Sequence, residues 1–106
     1  MTEKYNIEIP SVTLNNNNLS ASDKLLHGEL IRLADDDGYC IVRNEFLADS
    51  IGVSTKTISR GISNLKKEGF IDSKIVEQGN TMMRRIEVLN YKEIIDFLKG
   101  CEVNER

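Results

Sequence analysis

An α+β fold, with helices leading into a β-hairpin, is predicted by three features of the sequence. Aliphatic residues recur at spacings of three and four from Leu25 to Leu33 and again from Ile58 to Leu65, the period of a helix buried along one side. Two strand-like runs, "FIDSKIVEQ" and "TMMRRIEVL", flank Gly79 and Asn80, a two-residue hairpin signal. At 106 residues the chain has room for one domain with a single modest core, and too little for two.

Residues 5 to 12, "YNIEIPSV", alternate apolar and polar through Ile7 and Ile9 until Pro10. This reads as a short edge strand or an arm, within an N-terminal segment covering residues 1–19. Asn15 to Asn18 form a polar turn, and Ser20 followed by Asp23 resembles a capping box, so a helix starts there. It runs from Ala21 to Ala34 with Leu25, Leu26, Leu30, Ile31 and Leu33 on one side. "DDDG" at 35–38 then stops it, because three acids oppose the dipole at a helix C-terminus.

"GYCIV" at 38–42 is a short β-rich run. Asn44 is placed to cap a second helix with apolar positions Phe46, Leu47 and Ile51, and Gly52 closes it. Val53 crosses the turn and Ser54 caps a third helix, whose Ile58, Ile62 and Leu65 form the inner face before Gly69. After the hairpin, Tyr91 to Leu98 reads as a last amphipathic helix. This order is that of a winged helix-turn-helix: a three-helix core and a β-hairpin wing over residues 20–90, with a C-terminal helix and tail over 91–106.

A helix-turn-helix requires a small residue in its first helix, a glycine at the turn and aliphatics holding the second helix down. Ala48, Gly52, Val53 and Ile58 meet those demands in sequence. With Ile58, Ile62 and Leu65 inward, Thr55, Lys56, Ser59, Arg60 and Ser63 fall on the outer face. Those residue types suit the major groove of DNA. Lys56 and Arg60 can donate to guanine O6 and N7, and a small hydroxyl can bond a base or a phosphate. Ser54 and Thr57 belong to the first turn, where free amides can receive a phosphate.

The outer face also lacks acids. From Gly52 to Lys67 there is no Asp or Glu, although acids make up 17 of the 106 residues. The net charge of −3 and pI near 5.2 argue against binding nucleic acid by bulk attraction. Charge is partitioned, however. From Gly52 to Arg85 seven cations face three acids, a local +4, while the remainder holds seven cations and fourteen acids. Lys67 is a candidate phosphate contact, and in the wing Lys74, Asn80 and Arg84 are candidates beside the turn. Because side chains alternate along a strand, Arg84 and Arg85 point to opposite faces, so at most one meets DNA.

Other chemistries find little support. Cys40 and Cys101 are too few for a disulfide framework and lack metal-ligand spacing, which suits a reducing cytoplasm. Cys40 reads as core and Cys101 as exposed. The sole histidine, His27, reads as a partly buried structural residue, and Asp35 to Asp37 as a solvated turn without the further ligands of a calcium loop. No phosphate-cradling glycine loop or nucleophile motif is present, so no enzyme, cofactor or metal is expected. No window approaches a membrane span, and "MTEKYNIEIP" lacks the features of a signal peptide.

The run "LSASDKLLHGELIRLADDDGYCIVRNEFLADSIGVSTKTISRGISNLKKEGFI" resembles the N-terminal winged-helix domain of replication initiators and replisome organisers from phages and mobile elements of Gram-positive bacteria. These are related to DnaD-type and plasmid initiators. "KLLHGEL", "GYC" and "GVSTKTISRGISNLKKEGFI" carry the likeness. It implies sequence-specific binding to duplex DNA at an origin, often as a homodimer, through Thr55, Lys56, Ser59, Arg60 and Ser63, in replication initiation or copy control. Such initiators usually continue into a second domain that contacts host replication proteins, whereas this chain stops at "KGCEVNER". A small transcriptional repressor is the alternative within DNA binding, and a winged-helix adaptor for protein the alternative outside it.

Overall fold

A computed structural model describes residues 7 to 104, with side chains described through residue 99. In chain order the elements are α1 (Ser11–Leu14), α2 (Ala21–Leu33), β1 (Tyr39–Val42), α3 (Asn44–Ile51), α4 (Thr55–Lys67), β2 (Ile71–Gln78), β3 (Thr81–Val88) and α5 (Tyr91–Asn104). The three strands form one antiparallel sheet in the order β1-β3-β2. With α2 and α4 packed against it, α3 packed on those two helices and the β2–β3 hairpin extending beyond the core, the fold is a winged helix-turn-helix.

Local signals set most of these boundaries. Ser20 and Asp23 make the full capping box of α2: Ser20 Oγ accepts from Asp23 N at 3.1 Å and Asp23 Oδ2 from Ser20 N at 3.0 Å. Gly52 ends α3 in the left-handed region, φ +76°, where a side chain would be strained. Ser54 caps α4 by accepting from Thr57 N at 3.1 Å. Along α4, Ile58, Ile62 and Leu65 are 1%, 2% and 0% exposed and join Leu26, Leu30, Leu47, Ile71 and Ile86 in the core.

Close packing of α4 against α2 depends on Gly61. A methyl group there would lie 2.9 Å from Leu26 Cδ2 and 3.0 Å from Asp23 Oδ1, so the helices meet where a side chain would separate them. Asn64 Nδ2 donates to Asp23 Oδ2 at 3.0 Å beside this crossing, and Asn16 Nδ2 donates to Glu68 Oε1 at 3.2 Å near the end of α4. On the other side of α2, Glu29 accepts two bonds from Arg32, at 2.8 and 2.7 Å, and one from Ser50 of α3. Burial works against charge on Glu29, yet those donors hold its carboxyl below the usual range.

Several expectations require correction. Of the two readings of the first segment, edge strand or arm, the strand is the one that fails: residues 7 to 10 pair with no strand among the described residues. Ile7 and Ile9 instead lie over Gly28 of α2, where an added Cβ would collide with Ile7 and come within 3.1 Å of Ile9. Pro10 is followed by the short helix α1, whose Thr13 and Leu14 amides bond its carbonyl. The last helix runs on to Asn104. Asn44 does not cap α3; it lies inside the first turn, after the cap position at Arg43, and its amide is drawn to other partners.

His27 is fully buried rather than partly so. Its Nδ1 pairs with Thr13 Oγ1 at 2.8 Å and its ring packs 5.0 Å from that of Phe70. Desolvation pushes its pKa down to about 4, and the buried Nε2 has no hydrogen-bond partner among the described residues to receive a second proton's bond. Cys40 is core, as expected, and burial raises its thiol to about 11. The expectation for Cys101 falls on a side chain outside those described. Asp35 Oδ1 accepts from the Tyr39 and Asp37 amides, folding that carboxylate into its own turn. Among the described residues no helix is long and apolar enough to cross a membrane.

Candidate nucleic-acid interface

The outer face of α4 is where the sequence places it. Thr55, Lys56, Arg60 and Ser63 are exposed, Thr57 and Ser59 are half-buried, and Ser54 is exposed at the N-terminus. Three turns of helix therefore present small hydroxyls, one lysine and one arginine, with the apolar side fixed against the core. Lys67 is exposed in the last turn, beside Asn18, Asn64 and Glu68. Lys66 is turned toward β2 instead, with Nζ 3.8 Å from Asp72 Oδ1 and 3.4 Å from Ser73 O.

The hairpin divides the wing candidates. Register pairs Lys74 with Arg85 and Ile75 with Arg84, so Lys74 and Arg84 occupy opposite faces of the sheet. Arg84 lies on the face carrying the buried Ser73, Ile86 and Val42, toward the helices. Lys74 and Arg85 lie on the outer face, where the Arg85 guanidinium sits 4.6 Å from the centre of the Tyr39 ring. Asn80 is exposed in the turn. The structure thus brings Arg84 to the α4 side and leaves Lys74 on the far side.

Two candidate residues meet through a third that the sequence did not mark for this role. Arg84 Nε donates to Asn44 Oδ1 at 2.8 Å, and Asn44 Nδ2 donates to Ser59 Oγ at 3.1 Å. Arg84 also reaches Ser73 Oγ at 3.3 Å. Asn44 was legible only as a cap, because its partners lie 15 and 40 residues away and no local spacing announces them. The cleft beside this junction is lined by Arg43, Glu45, Ile75 and Met82. Ile75 and Met82 are 55% and 60% exposed, and alternating register puts both on the face of Arg84.

A family model described as a helix-turn-helix domain matches residues 17–71, from the turn before α2 to the first residue of β2. The chain belongs to the helix-turn-helix domain family. No match is found among curated proteins. Among solved structures, the helix-turn-helix chain is similar to one titled "N-Terminal domain of DNA binding protein", at TM-score 0.61 and 20% identity, covering 100% of this chain and 94% of that one. It is similar to a Rep–DNA complex at TM-score 0.58 and 19% identity, over 85% of this chain and 81% of the other. MepR of S. aureus, in complex with DNA, aligns at TM-score 0.56 and 15% identity over 99% and 83%. At these identities the likeness establishes the shared fold.

Proposed function

We propose that this helix-turn-helix protein binds double-stranded DNA in a sequence-specific manner, with α4 in the major groove and the wing against the flanking backbone. The observation that carries this reading is the acid-free outer face of α4, projected from a helix held by Asp23 at Asn64, by Asn16 at its C-cap Glu68 and by three core aliphatics. Lys56 and Arg60 supply donors for base edges, and Thr55, Ser59 and Ser63 bond bases or phosphate without filling the groove. Ser54 and Thr57 sit at an N-terminus suited to a phosphate, and Lys67, Asn80 and Arg84 contact the backbone on either side. Lys74, across the sheet from Arg84, serves only the flank of the wing. Residues 20–90 form the DNA-binding unit, flanked by the arm of 1–19 and the C-terminal segment of 91–106.

The biological role we assign is replication initiation or copy control of a mobile element, acting as a homodimer that can also meet host replication proteins. Its support is the resemblance carried by "KLLHGEL" and "GYC" together with the α4 sequence, and the structural likeness to a Rep–DNA complex. A transcriptional repressor is the second reading, favoured by the likeness to a possible transcriptional regulator from Methanosarcina mazei Go1, at TM-score 0.56. The first test is binding of the full chain to a labelled mixed-sequence duplex across a salt series. Binding that weakens steeply with salt is expected, since each neutralised phosphate releases counterions. No binding even at low salt would remove the DNA reading and leave the protein adaptor.

A further inference from the structure

Asn44 opens α3, yet its side chain serves neither α3 nor the core. It spans the gap between the wing and α4, touching Arg84 on one and Ser59 on the other. The polarity of that bridge is fixed by chemistry. An arginine Nε–H can only donate, so the amide oxygen of Asn44 must face Arg84; its NH2 group is thereby turned to Ser59, whose Oγ must accept. Donor capacity is left over on both residues as a result. Ser59 has its hydroxyl proton unspent, and Arg84, held at Asn44 and Ser73, retains further N–H groups of the five that a guanidinium carries. Both are half-buried and held by side chains that are themselves ordered by α3 and the sheet.

Resting on the DNA-binding reading above, we propose that Asn44 is a positioning residue that locks the wing to α4 and presents Ser59 and Arg84 together as donors to acceptor groups along one edge of bound DNA. Burial of Ile71, Ile86 and Val88, pairing with β1 and the Lys66 contacts with β2 hold the base of the hairpin; the bridge adds a side-chain tie between Arg84 at the edge of that base and Ser59 on α4. Without that tie Ser59 could rotate its proton inward. Preorganisation of this kind raises affinity by removing the cost of ordering both groups on binding, without Asn44 touching DNA.

The test uses the full chain and a duplex selected by the wild-type protein from a random pool, with affinity read by fluorescence anisotropy. Asn44→Ala is expected to weaken that duplex about tenfold, the size typical of coupled neighbours, and a scrambled duplex by less, because the backbone contact of Arg84 is common to both. In a Ser59→Ala/Arg84→Ala background the same substitution is expected to change affinity less than about twofold, because nothing remains to be positioned. In the unliganded wild type, the NMR signal of the Arg84 Nε–H should exchange slowly with solvent, a readout that holds even if Asn44→Ala folds poorly. Wild-type affinity in Asn44→Ala, the full tenfold loss in the double background, or an Arg84 Nε–H exchanging as fast as a solvated arginine's would each overturn the proposal. Failure of the wild type itself to select any duplex would instead overturn the DNA reading, and this proposal with it.

Discussion

Arg60 stands exposed in the middle of α4, one residue before the glycine that seats the helix on α2. Its replacement by alanine leaves the packed side untouched. On the preferred duplex Arg60→Ala should cost about 1–3 kcal/mol and broaden the sequences accepted, as expected of an arginine that reads a base edge. Equal losses on every duplex would make it a phosphate contact. Lys67 lies at the end of the same helix, where Lys67→Ala should weaken all duplexes alike and lower the salt slope by about one. A loss confined to one sequence would contradict that. His27 makes a separate prediction about stability. Its folded pKa of about 4 lies below the ordinary value of 6.5, so the unfolded chain binds the proton more readily between those values. Stability contributed by the neutral ring is full above pH 6.5 and falls by about 3 kcal/mol as pH drops to 4. Urea denaturation across that range should show this dependence in the wild type and a flatter one in His27→Leu; parallel curves would refute the assignment.

Among the elements, α4 owes its position to α2 as much as to its own sequence. Asp23 closes the capping box and accepts from Asn64, while being 3% exposed. Asp23→Ala should therefore destabilise the protein by about 2 kcal/mol, combining a lost cap with a lost buried bond, and Asn64→Ala should add little to it. Additive losses in thermal or urea unfolding would show the two to be independent. The same elements explain what was legible beforehand. Helices with a sharp apolar period and a local cap, such as α2 and α4, announce themselves, because their determinants lie within one or two turns. The arm at residues 7–10 imitates a strand because Ile7 and Ile9 alternate, but that alternation is used against Gly28. Asn44 fits a cap by local rule, and a distant arginine decides otherwise. In the wing, the hairpin was readable from its turn, whereas its register, which separates Lys74 from Arg84, emerges only once the strands are paired.

At the scale of the whole molecule, the charge distribution reconciles an acidic protein with an anionic partner. The stretch from Gly52 to Arg85, which holds α4 and most of the wing, carries seven cations and three acids; the remainder carries seven and fourteen. Of these cations Lys56, Arg60, Lys67 and Arg84 belong to α4 and the sheet face beside it, whereas Lys74 and Arg85 lie on the outer face of the sheet. In the proposed complex the former make the side that meets DNA, and the acidic remainder disfavours other modes of contact. The fold gives that side its shape, with α4 projecting beside a hairpin tied to it through Asn44. The central claim is that this surface reads sequence. It is tested most directly by selecting bound duplexes from a random pool with wild type and Arg60→Ala, at low and near-physiological salt. One motif enriched by the wild type and lost or degraded in the mutant is the predicted result. No enrichment at either salt, or the same motif from both proteins, would contradict it.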